Sequence, residues 1–160
     1  MQKILVKFFI ILGLMKKTTP YFLLFILPFL IAFHSTLIHI DWSNLRDVIF
    51  KDKYYEEFDQ YLLHPTFGQS VKDLENKEVQ ISGYIIPIEP QRYILSENPF
   101  SSCFFCGGAG PETVLELEMK SYDKTYFTDQ YLSFKGVFKL NIDDIDKLNY
   151  LLQSAEEVDE

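Results

Sequence analysis

Glu78-Val79-Gln80-Ile81-Ser82-Gly83-Tyr84-Ile85-Ile86-Pro87-Ile88 is a long β-forming run with a glycine near its middle. A glycine inside a strand marks a bulge or a sharp bend, as at the corner of a barrel. After the turn Glu89-Pro90-Gln91, residues Arg92 to Glu97 give a second strand. Thr113 to Met119 gives a third, with Val114, Glu116 and Glu118 alternating against Leu115, Leu117 and Met119. Ser121 to Gln130 is a polar connector, and Tyr131 to Leu140 is a fourth strand with Gly136 again placed like a bend. A short helical turn at Asp143-Asp144-Ile145-Asp146 leads to a fifth strand, Asn149 to Glu156. Five strands with glycine bends in the first and fourth predict a mainly β domain. The expected form is a small barrel of the oligonucleotide/oligosaccharide-binding (OB) type, with short helical additions.

Upstream of the strands the chain divides twice. Lys16-Lys17 followed by the apolar run Tyr21 to Phe33 and then Ser35-Thr36 has the order of a secretory signal peptide. That run is shorter than the ~20 residues a membrane span needs. Residues 1–35 are therefore expected to be a leader, with Met15 a candidate true start. The alternative is an N-terminal membrane anchor, in which case the uncleaved leader is the only membrane contact. The protein is expected in the periplasm or secreted.

Residues 36–75 read as an N-terminal arm with short helices, and residues 76–158 as the barrel. Asp41-Trp42-Ser43-Asn44-Leu45 fits a capped helical turn. Lys51 to Leu63 fits a helix or an irregular arm equally, and is expected to end at His64-Pro65 because the residue before proline avoids helical angles. Ser70-Val71-Lys72-Asp73 has the pattern of a capping box opening a short helix.

Composition agrees with one domain. The chain has 160 residues, 48% of them hydrophobic and 16% aromatic, and rings on this scale favour cross-strand packing. Its formal charge is −8, and beyond residue 35 the balance is 11 basic against 23 acidic residues, or −12. A surface that acidic repels phosphate backbones, so no nucleic-acid partner is expected despite the fold.

Chemistry concentrates in Asn98-Pro99-Phe100-Ser101-Ser102-Cys103-Phe104-Phe105-Cys106-Gly107-Gly108-Ala109-Gly110-Pro111-Glu112, which holds both cysteines of the chain. Pro and Gly at this density make it a loop between strands. Gly107 stands where covalent haem attachment needs His, which excludes that reading. A thioredoxin-like pair needs a helix N-terminus to lower the thiol pKa; Gly107-Gly108-Ala109-Gly110-Pro111 is a poor helix opening, and Phe104 and Phe105 add apolar surface. A structural disulfide suits an exported protein, although so short a loop gains only about 2 kcal/mol. A metal knuckle is the fourth reading. Gly107 supplies the positive φ such a turn needs, amides turn towards the sulfurs, and two thiolates three apart fit one edge of a tetrahedral zinc site.

A full zinc site contributes far more than the short disulfide, about 10–16 kcal/mol in zinc-finger peptides. One pair is half a site, so His64 and Glu112 are the candidate completing ligands, with zinc the candidate ion. A lone histidine is commonly structural, and Glu112 is commonly just solvated. His39 lies near the expected new N-terminus and is not a candidate. Asp143, Asp144 and Asp146 lack the spacing and closing Glu of a calcium loop and fit a helix N-terminal charge effect. No nucleophile elbow, phosphate loop or His-Glu-x-x-His is present.

Lys77-x-Val79-x-x-x-Gly83-Tyr84-x-x-Pro87, the cysteine loop and Phe134-Lys135-Gly136 together resemble an uncharacterised family of exported bacterial proteins with an OB-like barrel. The resemblance runs from about Trp42 to Val158. It implies the barrel and export, and members' association with metal-transport systems implies metal handling. Family members carry two cysteines or a Cys-x-His pair in the loop; Cys106-Gly107 stands here where others have His, so the ligands are expected to differ. The expected function is a small exported protein that binds metal, rather than a catalyst. The alternatives are a disulfide-stapled module that docks an envelope protein partner and a thiol–disulfide oxidoreductase.

Overall fold

The structure, a computed structural model, describes residues 36–159. The expected leader, its start site and its membrane role lie outside the described residues. Within them, no helix is long and apolar enough to cross a membrane. Among the described residues there are eight strands: β1 Ile38–His39, β2 Val48–Tyr55, β3 Gln60–Phe67, β4 Glu78–Glu89, β5 Arg92–Ser96, β6 Val114–Met119, β7 Tyr131–Leu140 and β8 Tyr150–Val158. The one α-helix among the described residues, α1, is the single turn Gln69–Lys72.

Five of the strands close into a barrel. β4 pairs antiparallel with β5, β5 with β6, and β7 with both β8 and β4, while β6 and β8 pair in parallel. This is the circuit of the OB fold, with β4 as the long strand that uses both edges. Its second half takes β5 and its first half takes β7. β1 pairs in parallel with Val79 and Gln80, extending the sheet beside the first half of β4.

The interior follows from the alternation of β residues. Val79, Ile81 and Ile85 of β4, Tyr93 and Leu95 of β5, Leu115 and Leu117 of β6, and Phe134 and Phe138 of β7 point inward into one core. Gly83 belongs to the same inward series, and it stays in register with Leu132. The pairing with β7 has no bulge there, and the glycine also permits a close approach: a Cβ at Gly83 would lie 2.6 Å from the Ser96 carbonyl oxygen and 3.1 Å from the Trp42 ring. Trp42 enters the barrel end at this gap, and its Nε1 donates to the Ser82 carbonyl at 2.9 Å.

Gly136 does face an irregularity. Both neighbours of β8 skip Ser154, which sits at φ 52°, so the bulge is in β8. A Cβ at Gly136 would meet the Gln153 carbonyl oxygen at 2.7 Å.

The segment preceding the barrel differs from the expected arm. Trp42–Leu45 is a 3-10 turn capped by Asp41. β2 and β3 then form an antiparallel hairpin, a two-stranded sheet of its own, running straight through His64-Pro65. A two-stranded ribbon leaves one row of backbone groups per strand outside the ladder, so proline is tolerated there. Tyr54 and Tyr61 pair across the strands with ring centroids 5.2 Å apart, and Asp59 takes the left-handed turn position at φ 51°. Helix α1 starts one residue before Ser70, and its side-chain cap comes from outside: Asp47 accepts from the Ser70 amide and hydroxyl. Asp143 to Asp146 form a bend and a hydrogen-bonded turn rather than a helix, so the expected helix-terminus role for these acids is withdrawn; Asp144 instead accepts from the Asp146 amide at 3.1 Å.

Candidate functional site

The cysteine loop connects β5 to β6 and is closed at its base by the Glu97 amide donating to the Thr113 carbonyl at 2.9 Å. It contains three 3-10 turns, Phe100–Ser102, Phe104–Cys106 and Pro111–Thr113. Asp129, from the connector before β7, accepts from the Phe100 amide at 2.7 Å and ties the loop to the barrel.

Cys103 separates the first two turns in an extended conformation and is fully buried. It packs with Ile86, Ile94 and Val114, and Phe104 and Leu148 lie against the same cluster. These three aliphatic residues alternate with the inward ones on β4, β5 and β6, so they face outward. The loop therefore folds over the outside of β5 and β6, the face through which OB barrels usually take ligands.

Cys106 ends the second turn and is exposed. Its thiol donates to the Phe100 carbonyl at 3.0 Å, and its amide donates to the Cys103 carbonyl at 3.1 Å. Desolvation by the loop pushes the Cys106 thiol above its ordinary range, and the neighbouring Cys103 adds to that shift. Both cysteines are free thiols.

Gly107 follows in the left-handed region at φ 71°, as the turn requires. The amides of Cys106 and Gly108 donate to the Cys103 carbonyl, and that of Gly107 to the Phe104 carbonyl. These amides hold the backbone turn and do not point to the sulfurs as a knuckle would need. Gly108 has a steric reason: a Cβ there would sit 2.5 Å from the Ser102 carbonyl oxygen. A Cβ at Gly110 would meet the movable Glu112 carboxylate first.

The four candidate ligands are not gathered. Among the described residues, no three His, Cys, Asp or Glu side chains come together as a metal-ligand set. Cys103 and Cys106 share one turn, the Cys106 amide donating to the Cys103 carbonyl. His64 stands on β3 opposite Lys51, with its Nδ1 3.0 Å from the Tyr55 hydroxyl. Glu112 lines a polar groove with Arg46, Glu97 and Asn98.

Beside the loop lies a cleft of about 430 Å³. Tyr61 and Leu63 of the hairpin, Phe104 and Pro111 of the loop, and Ile142 and Ile145 before β8 form its apolar walls. Its floor is pinned by a buried carboxylate. Glu116 accepts from Arg92 Nε at 3.0 Å and from the Leu148 amide at 3.2 Å, while Arg92 also donates to the Asp146 carbonyl. The sequence reading missed this cleft, because its walls come from three segments distant in the chain. A charged residue between Leu115 and Leu117 was the available signal for Glu116.

No protein-family model and no curated protein matches the chain. Among solved structures it is similar to a DUF3299 family protein from Pseudomonas aeruginosa PAO1, with a TM-score of 0.50 and 13% sequence identity. The alignment covers 78% of this chain and 98% of that one. At this identity the likeness is one of fold. It accords with a barrel shared with proteins that carry a domain of unknown function.

Proposed function

We propose that this is a small exported binding protein whose Cys103–Cys106 loop takes a thiophilic metal ion. The observation that carries the reading is a surface cysteine and a buried one on a single backbone turn, the Cys106 amide donating to the Cys103 carbonyl at 3.1 Å. Resemblance of the Lys77 to Pro87 strand and the loop to exported barrel proteins associated with metal transport supports it. Zinc is the ion expected from the sequence. It takes four ligands in structural sites, so two positions would be filled by water, by an envelope partner or by a donor protein. Such a site suits transient handling more than storage.

The test uses protein purified without a polyhistidine tag, reduced and kept free of oxygen. Metal content is measured after addition and gel filtration, and free thiols are counted by mass. One thiophilic ion per chain, lost in Cys106→Ser, supports the reading. Two free thiols, counted after unfolding, in protein that retains no ion overturn it.

The cleft walled by Tyr61, Leu63, Ile142 and Ile145 favours a second reading, an interaction module in which a Cys103–Cys106 disulfide stiffens one wall. It predicts complete oxidation in the exported protein and unchanged partner binding when metal is removed. A thiol–disulfide oxidoreductase draws less support, since the surface thiol is pushed away from the thiolate it would need.

A further inference from the structure

We propose that the outer edge of β2 is a docking surface for an extended strand of another protein, one that sets acidic residues opposite Lys51 and Lys53. The inference rests on the interaction-module reading above and names the surface and the partner's chemistry. Among the described residues, β2 pairs with β3 alone. The ladder shows which of its groups are on offer. Just before β2, the Gly68 amide donates to the Asp47 carbonyl at 2.7 Å, and antiparallel ladder bonds then recur at every second residue, Ile49, Lys51 and Lys53. Phe50 belongs to the alternate set, opposite Pro65, which has no amide to give. The amides and carbonyls of Phe50, Asp52 and Tyr54 therefore point away from β3. Such a row is a template for an added strand. Pro65 breaks the corresponding row on β3, whereas β2 has no proline and pairs without a register shift.

Charge selects the occupant. Lys51 to Tyr54 are exposed, and among the described residues no ion pair engages Lys51, Asp52 or Lys53. A second copy of the chain fits poorly. The antiparallel register that joins all three outward residues of two copies sets Phe50 against Tyr54, but also Asp52 against Asp52 and Lys51 against Lys53. Like charges directly opposite are destabilising. The complementary strand reads apolar, acidic, basic, acidic, apolar opposite Phe50 to Tyr54. That order is the same in both directions, so it serves a parallel or an antiparallel guest.

The experiment follows amide exchange by NMR in the purified protein. One probe is the peptide acetyl-Thr-Val-Glu-Lys-Glu-Val-Thr-amide, and the other exchanges its acidic and basic residues. Without peptide, the amides of Phe50, Asp52 and Tyr54 should exchange fast and those of Ile49, Lys51 and Lys53 slowly. The first peptide should slow the three fast ones. The charge-exchanged peptide should bind roughly tenfold more weakly, because three cross-strand pairs are reversed together. Lys51→Glu combined with Lys53→Glu should invert that preference. Asp52→Pro should abolish binding and leave Ile49 and Lys53 protected, since the Asp52 amide lies outside the ladder with β3. Phe50, Asp52 and Tyr54 already protected in the free protein overturns the inference, because the edge is then covered. Binding that ignores charge, or that survives Asp52→Pro, also overturns it. Should Asp52→Pro unfold the hairpin, the charge arms still decide. A peptide that perturbs only Tyr61, Leu63 and Ile145 of the cleft overturns the edge and keeps the module reading. No binding at millimolar peptide overturns the edge alone, and the module reading is then judged by cysteine oxidation and partner binding without metal.

Discussion

Glu116→Gln tests how the cleft beside the thiol pair is held. The carboxylate has two oxygens and three donors: Oε1 faces Arg92 Nε at 3.0 Å, and Oε2 faces Arg92 Nη2 at 3.3 Å and the Leu148 amide at 3.2 Å. Glutamine keeps the shape and loses one acceptor. Whichever way its amide turns, an NH2 points at an N–H, so at least one donor is left unpaired. An unpaired buried donor costs about 1–3 kcal/mol. The Arg92 side chain is one-third exposed, and water relieves part of its loss, so the total should be about 2 kcal/mol. With a urea slope of roughly 1–3 kcal/mol/M the unfolding midpoint should fall by about 1 M, the slope itself unchanged. Hydrogen exchange should quicken first at Leu148 and its neighbours, because their amides and carbonyls are the released groups. An unchanged midpoint together with a Leu148 amide as protected as before would refute the anchoring role.

Two further perturbations read the loop and the barrel separately. In the reduced native protein iodoacetamide should modify Cys106 alone, with Cys103 reacting only after unfolding; the Cys106 rate should keep climbing with pH past the ordinary thiol range, because the thiolate reacts and desolvation holds its pKa up. Equal labelling of both residues by peptide mass mapping would contradict the burial of Cys103. Gly136→Ala places a methyl 2.7 Å from the Gln153 carbonyl oxygen, at the bulge; overpacking costs about 1–3 kcal/mol, less roughly 0.4–1 kcal/mol gained by stiffening the unfolded chain. The melting temperature should drop by several degrees in calorimetry, and an equal or higher value would show that β8 yields freely there.

The barrel was legible because its signals are local. Each strand carries its own alternation, and Gly136 and Gly83 sit where a neighbouring backbone or ring comes too close for a Cβ. The hairpin was not, because nothing in Lys51 to Leu63 has a strong turn signature. Glu56-Glu57-Phe58-Asp59 lacks the Asn-Gly or Asp-Gly that marks a tight hairpin, and the strands are held by pairings such as Tyr54 with Tyr61 that exist only once the chain has turned. His64-Pro65 misled for a related reason: proline forbids a helix but is allowed in a ribbon with an outer edge. The loop was legible as a place and not as a ligand set. Spacing along the chain brings Cys103 and Cys106 together, whereas His64 and Glu112 could be judged only from the tertiary course of the hairpin and the loop.

The two cysteines differ in freedom as well as exposure, and under the proposed metal-binding reading that difference would let an ion be released. Cys103 is fixed by the apolar cluster on β4, β5 and β6, and its carbonyl is held by two amides. Cys106 keeps a single thiol hydrogen bond to Phe100 and is followed by Gly107, whose left-handed conformation costs a glycine little to enter or leave. One sulfur is thus preorganised and the other is adjustable, so if the loop held an ion as proposed, a sulfur arriving from solution would replace Cys106 first. Because the loop covers the outside of β5 and β6, the barrel cannot offer that face to an oligomer without displacing the buried Cys103. The same packing that closes the usual OB ligand surface therefore sets the two cysteines over it.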